Sequence, residues 1–396
     1  MNRRRRDSGF SAAWRATALA GLLAAASPAL AQPAAPAPET DGPRLLPGVI
    51  DGAVELLPNG TAGGLQSDGP ALLPPVLGQP RAPGFLAAVQ NLPDADKIDY
   101  AYGAFQRGYY LTALAIATDR AAAGDAAART LIGFIYRYGL GVPRSEAEAA
   151  IWYELAADTG DAAAMVELAD LYSQGVGVPQ NLDKAAELLE QADAKGRVEA
   201  AYGLGMVYLT GKGRERDPAK ALALFTRAAD GGNADAAYAL AVLYQEGTDV
   251  PAEPGQAATW MARAAKAGHT AAQVEYAIMV FNGTGINRNE AVAAAWFRLA
   301  ANAGNPVAQN RLARLLAAGR GVEKNEREAA VWHLRARAAG LEDQWLDEMV
   351  AGLAEADRAG AAEAAAGTGQ SPAPVVPPSA APEPVAPAPV TPPPEP

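Results

Sequence analysis

The chain has 396 residues and a formal net charge of −11, with 40 Gly, 31 Pro, two His and no Cys. That balance argues against nucleic acid, whose phosphates call for clustered positive charge, and against electrostatic attachment to anionic lipid. The missing cysteine excludes disulfides, thiolate metal sites, a cysteine nucleophile and a lipidated cysteine anchor.

Residues 1–31 have the three-part pattern of a secretory signal. Arg3 to Arg6 form the positive start, Ala16 to Ala26 the apolar middle, and Ala29-Leu30-Ala31 a small-x-small cleavage site before Gln32. The apolar run is shorter than the roughly 20 residues that span a bilayer, and Pro28 interrupts its end. The expectation is therefore a periplasmic or secreted protein, cleaved after Ala31 and without a membrane span. Removing this segment leaves 28 basic and 43 acidic residues, a charge of −15.

Residues 32–96 form a Pro/Gly-rich linker, read as mostly irregular. Two apolar patches within it, Leu45 to Ile50 and Val54 to Leu57, read either as local clustering in a disordered linker or as an extended segment docking on the following domain or on a partner. Residues 97–126 read as an N-terminal capping pair of helices. Residues 341–366, with Trp345, Leu346, Met349, Val350 and Leu353, read as one closing helix. Residues 367–396 are a Pro/Ala tail in which polyproline II geometry would make a stiff spacer.

Between these ends the chain repeats. Gly139, Gly175, Gly211, Gly247, Gly283 and Gly319 recur every 36 residues, and so do Gly124, Gly160, Gly196, Gly232, Gly268, Gly304 and Gly340. A period of that size marks stacked supersecondary units. Each unit reads as a helix, a glycine loop, a second helix and a closing glycine. Ser145, Asn181, Asp217, Glu253, Asn289 and Asn325 stand where the second helix begins, and five of these six are good N-caps. The second helix buries the column Trp152, Leu188, Leu224, Trp260, Trp296 and Trp332. The first helix carries a small column, Ala128, Ala164, Ala200, Ala236, Ala272 and Ala308, which lets neighbouring helices approach. The Gly-x-Gly loops are not phosphate loops, because no strand precedes them and no Lys-Ser/Thr follows. Their first glycine suits a left-handed helix end.

Catalysis finds no support in the residues. His269 falls in the column of Asp161, Asn233 and Asn305, as a cap or a loop residue; His333 falls in the Tyr153 column, as packing. Neither has a ligand partner at metal spacing, so no metal and no cofactor are expected.

Small-Leu-Gly-x-x-Tyr, Gly-x-Gly-Val-Pro and Ala-x-x-Trp-Tyr-x-x-Ala-Ala together resemble the Sel1-like repeat family, relatives of tetratricopeptide repeats. Ile132 to Tyr136 with Gly139 to Pro143 carry the resemblance most closely, and it covers about residues 127–340. It implies an all-α, right-handed α/α superhelical solenoid of six 36-residue hairpins. It also implies a concave groove lined by the first helices. The apolar residues falling on that groove are Phe134, Tyr202, Met206, Leu209, Tyr238, Val242, Val274, Ile278 and Phe281. The expected function is a non-catalytic interaction scaffold or adaptor of the cell envelope, holding a protein or peptide partner, with regulatory work as one use. An envelope or cell-wall hydrolase and a passive periplasmic spacer stand as alternatives.

Overall fold

The computed structural model describes residues 99–367, so the signal, linker and tail readings lie outside the described residues. The described residues hold sixteen α-helices and no strand. They divide into two compact units, one ending at Arg216 and the other beginning at Asp217.

The first unit contains α1 (Tyr100–Gln106), α2 (Tyr110–Ala122), α3 (Ala126–Tyr138), α4 (Glu146–Ala157), α5 (Ala162–Gln174), α6 (Leu182–Ala194) and α7 (Val198–Thr210). Each helix packs on the next in sequence, and α5 also meets α7. Trp152, Tyr153, Ile132, Leu168 and Leu171 are fully buried between them. Close approach is built in: a Cβ on Gly133 would lie 2.6 Å from the Tyr153 ring. The small residue at that position is what lets α4 seat its aromatic against α3.

The second unit contains α8 (Pro218–Asp230), α9 (Ala234–Glu246), α10 (Pro254–Lys266), α11 (Thr270–Asn282), α12 (Glu290–Asn302), α13 (Pro306–Ala318), α14 (Glu326–Ala338), α15 (Gln344–Gly352) and α16 (Glu355–Ala366). Tyr276 meets Trp296 edge-on at 5.5 Å, and Phe225, Met261 and Leu312 are buried with them. Trp260 departs from its column. It is only half-buried, and the Arg263 guanidinium lies 4.3 Å over its ring.

Capping follows the sequence closely. Ser145, Asn181, Asp217, Asn289 and Asn325 each accept from the backbone N–H three residues on, whereas Glu253 makes no such bond. His269 caps α11, its Nδ1 accepting from Ala272 N at 3.0 Å. Each such bond satisfies one exposed amide and contributes about 1 kcal/mol.

The end of the array differs from its expectation. Residues 341–366 form two helices, not one. Leu353 adopts an extended conformation after Gly352, and α16 turns back onto α14. Glycine is a poor helix former, and the break lets Leu353, Met349 and Val331 pack on Ala330, Val350 and Ala361. Trp345, expected among the closing apolar residues, is 46% exposed, whereas Leu346 is fully buried.

Candidate interaction surface

Residues 36 apart occupy the same place on successive first helices, so each column presents several chemistries from one backbone position. In the first unit, Phe134 on α3 is half-buried, and on α7 Tyr202 is buried while Met206 and Leu209 are half-buried. In the second unit, Tyr238, Val242 and Val274 are buried, whereas Ile278 and Phe281 are half-buried. The structure therefore divides the nine apolar residues placed on the groove. Tyr202, Tyr238, Val242 and Val274 face packed neighbours, and the accessible members are Phe134, Met206, Leu209, Ile278 and Phe281.

In the first unit Phe134 belongs to a longer series of rings. Tyr102 stacks with Phe105 at 6.2 Å, Phe105 meets Phe134 edge-on at 5.5 Å, and Phe134 lies 4.4 Å from Tyr138. The two ends of this ladder, Tyr102 and Tyr138, are 51% and 41% exposed. Tyr102, Phe105 and Tyr138 were not among the groove residues read from the sequence. Their helical spacing, 102 with 105 and 134 with 138, was the signal available.

Beside Tyr138, the buried Arg137 guanidinium bonds Glu167 at 2.5 Å and also Asp170, both on α5. Burial alone would depress the guanidinium, but the two carboxylates raise it above its ordinary value. Burial also pushes the Glu167 carboxyl up, against the pull of Arg137. One cation shared between two acids leaves Glu167 incompletely compensated.

In the second unit the equivalent acid, Glu275, is met by a tyrosine instead of an arginine. The Tyr238 ring stacks on His269 at 4.4 Å, and its hydroxyl donates to Glu275 Oε1 at 2.7 Å. Burial raises Glu275 above the usual carboxylate range and lowers His269, which Asp235 at 3.6 Å only partly offsets. Farther along, Phe281 has Arg320 at 4.5 Å and Arg288 at 5.9 Å from its ring, and both arginines bond Glu290. Those two cations, Arg320 foremost, hold the Glu290 carboxyl down to about 2. Arg314 makes a forked pair with Asp343 at 2.6 and 2.7 Å, and its guanidinium lies 5.5 Å from the Trp345 ring.

His333 is fully buried with its Nε2 2.9 Å from Asp347, which also binds Arg337. Among the described residues no three His, Asp or Glu side chains gather as a metal group, and no helix is long and apolar enough to cross a membrane.

The family described as Sel1 repeat matches residues 126–161, 162–196, 198–233, 234–269, 270–305 and 306–341. Among solved structures, the chain is similar to a protective antigen of uropathogenic Escherichia coli displaying an SLR fold, with 26% identity and a TM-score of 0.55. That match covers 64% of this chain and 56% of the antigen, so the chain spans little more than half of the antigen's length. A Sel1 repeat protein from Oxalobacter formigenes is similar at 32% identity and a TM-score of 0.54, over 60% of this chain and 69% of that one. No curated protein matches the chain. Sel1 repeats generally serve as scaffolds for protein interaction.

Proposed function

Because the chain belongs to the Sel1 repeat family, we propose that it is a non-catalytic adaptor of the cell envelope that holds a protein or peptide against its first helices. The observation that carries this reading is α7. Its Tyr202 and Tyr208 are buried, yet Met206 and Leu209 between and beside them stay half-buried. Apolar side chains left partly open beside a packed core suit a partner surface. The polar alternatives in the same columns, such as Asp170 and Arg314, would select among partners rather than add much affinity.

The test places charge where it does not disturb packing. Asp at Tyr202 or Tyr238 would break the core and reveal nothing about binding. Met206→Asp with Leu209→Asp instead should lower recovery of the partner from an envelope extract at least tenfold while the helical circular dichroism is retained. Undiminished recovery would remove α7 as the site. The envelope assignment rests on residues 1–31, and mass spectrometry of the periplasmic fraction should find a mature chain beginning at Gln32. A chain that keeps its first residues and stays in the cytoplasm would defeat that part.

A further inference from the structure

Among the described residues, the large apolar side chains most open to solvent are Tyr102, Tyr109, Leu111, Tyr138, Ile151 and Trp345. All but Trp345 come from the beginning of the first unit, and Tyr102 and Tyr138 are the ends of its aromatic ladder. The helix that starts the ladder is thinly covered: α1 has seven residues, and a Cβ on Gly103 would meet nothing within 4 Å. The first helix of a stacked array exposes a face that a further element ordinarily covers.

The chain enters this face at a fixed point. Asp99 accepts from Tyr102 N at 2.9 Å and binds Arg120 at 2.5 Å, which fixes the start of α1 beside the ladder. Directly upstream stand Phe85, Leu86, Val89 and Leu92, between Gly84 and Pro93. Their recurrence at steps of one, three and three makes this an apolar cluster in the sequence. Residues 85–92 hold no charge, so burying them against rings carries no cost of desolvating an ion. The tether from Leu92 to Asp99 reaches at most about 24 Å. The steps of the ladder, 6.2, 5.5 and 4.4 Å, fit within that radius.

We propose that residues 85–92 dock on the ladder of Tyr102, Phe105, Phe134 and Tyr138 and close the N-terminal end of the array. A tether this short keeps the segment at an effective concentration in the millimolar range, which favours it over a second copy or a dilute partner. The Leu45 to Ile50 patch is separated from α1 by about forty more residues and competes less well. Docking takes Phe134 out of the partner surface and leaves Met206 and Leu209 to it.

The absence of cysteine makes the chain a clean background for thiol labelling. In the full chain, a maleimide should label Tyr138→Cys about tenfold more slowly than in the same variant carrying Phe85→Asp, Leu86→Asp, Val89→Asp and Leu92→Asp. Ile151→Cys, on α4, should label equally in both backgrounds. Oxidation of Leu86→Cys with Tyr138→Cys should yield a cross-link within one chain. Equal labelling rates at Tyr138→Cys would overturn the proposal, and so would a cross-link found only at twice the chain mass, which would assign the face to a second copy. Both readings use the isolated protein, so they stand or fall separately from partner capture by α7.

Discussion

The pair α3 and α5 in the first unit and the pair α9 and α11 in the second are built to the same plan, yet they join through opposite chemistry. In the first, Arg137 reaches across to Glu167 and Asp170, and the contact is fully ionic. In the second, Tyr238 reaches across to Glu275 as a neutral donor to a carboxyl that burial has raised. What both share lies elsewhere, in the glycine loops. A Cβ on Gly177 would lie 2.5 Å from the Glu146 carbonyl oxygen of the preceding hairpin, and one on Gly285 would lie 1.9 Å from that of Pro254. The loops hold the stacking constant, and that constancy frees the first-helix columns to vary. Repeat proteins diversify surfaces on a fixed spine, and here the spine is identifiable atom by atom.

Breaking the shared part should have the largest effect. Gly285 has φ +69° as well as the contact with Pro254. Gly285→Ala combines a left-handed strain with a backbone collision and should cost about 4 kcal/mol. Gly177→Ala should act similarly in the first unit. Gly268→Ala, at φ +93° with nothing within 4 Å, should cost only about 1 kcal/mol. Urea denaturation of the three variants measures the difference. Equal costs would mean that conformation alone, and not contact between hairpins, explains the second glycine.

Next comes the ionic contact. Arg137→Met leaves Glu167 and Asp170 facing each other, half-buried and without their cation, and should cost about 3 kcal/mol at pH 7. Part of that loss should return as pH falls through the raised pKa of the Glu167 carboxyl. A variant as stable as the parent at pH 7 would show that water compensates the two carboxylates without Arg137. Tyr238→Phe, at the equivalent neutral contact, should cost about 1 kcal/mol, the worth of one hydrogen bond to a group that keeps some access to water.

The stacking of hairpins was legible because glycine, cap and small-residue columns are each dictated by one local requirement repeated every 36 residues. Asp125, Asp161, Asn233, His269 and Asn305 all fall at one N-cap, and each forms the expected bond. The second loop glycine was legible only in part: its left-handed backbone can be inferred, but its contact with the preceding hairpin depends on how hairpins nest. The surface was harder still. Tyr202 and Tyr238 sit in a column that also holds Thr130 and Asn310, so the sequence marks them as facing outward. Their rings instead fold down onto the packed neighbours, as Tyr238 does on His269. The break at Gly352 was missed because Leu353 continues an apolar helical spacing, and only its packing against Ala330 and Ala361 shows why the chain turns there.

The smallest effect expected is also the most specific to the neutral contact. Glu275 has a folded pKa above its ordinary value of 4.5, so the stability it contributes is full below about pH 4.5 and is lost as pH rises through the folded value. His269, stacked on the same tyrosine, has the opposite sign. Its lowered pKa contributes stability above its ordinary 6.5 that is lost as pH falls through the folded value. Asp235, 3.6 Å from the imidazole, opposes that shift, and Glu246 acts on the tyrosine hydroxyl beside it. The two slopes oppose each other, so the parent alone would not separate them. Glu275→Gln keeps an oxygen for the Tyr238 hydroxyl and removes only the titration. The difference between parent and variant then isolates Glu275, moving in favour of the variant from pH 4 to pH 8 in urea midpoints. A difference that stays level across that range would mean that Glu275 is solvated well enough to ionise freely, and the contrast between the ionic and neutral contacts would lose its electrostatic basis.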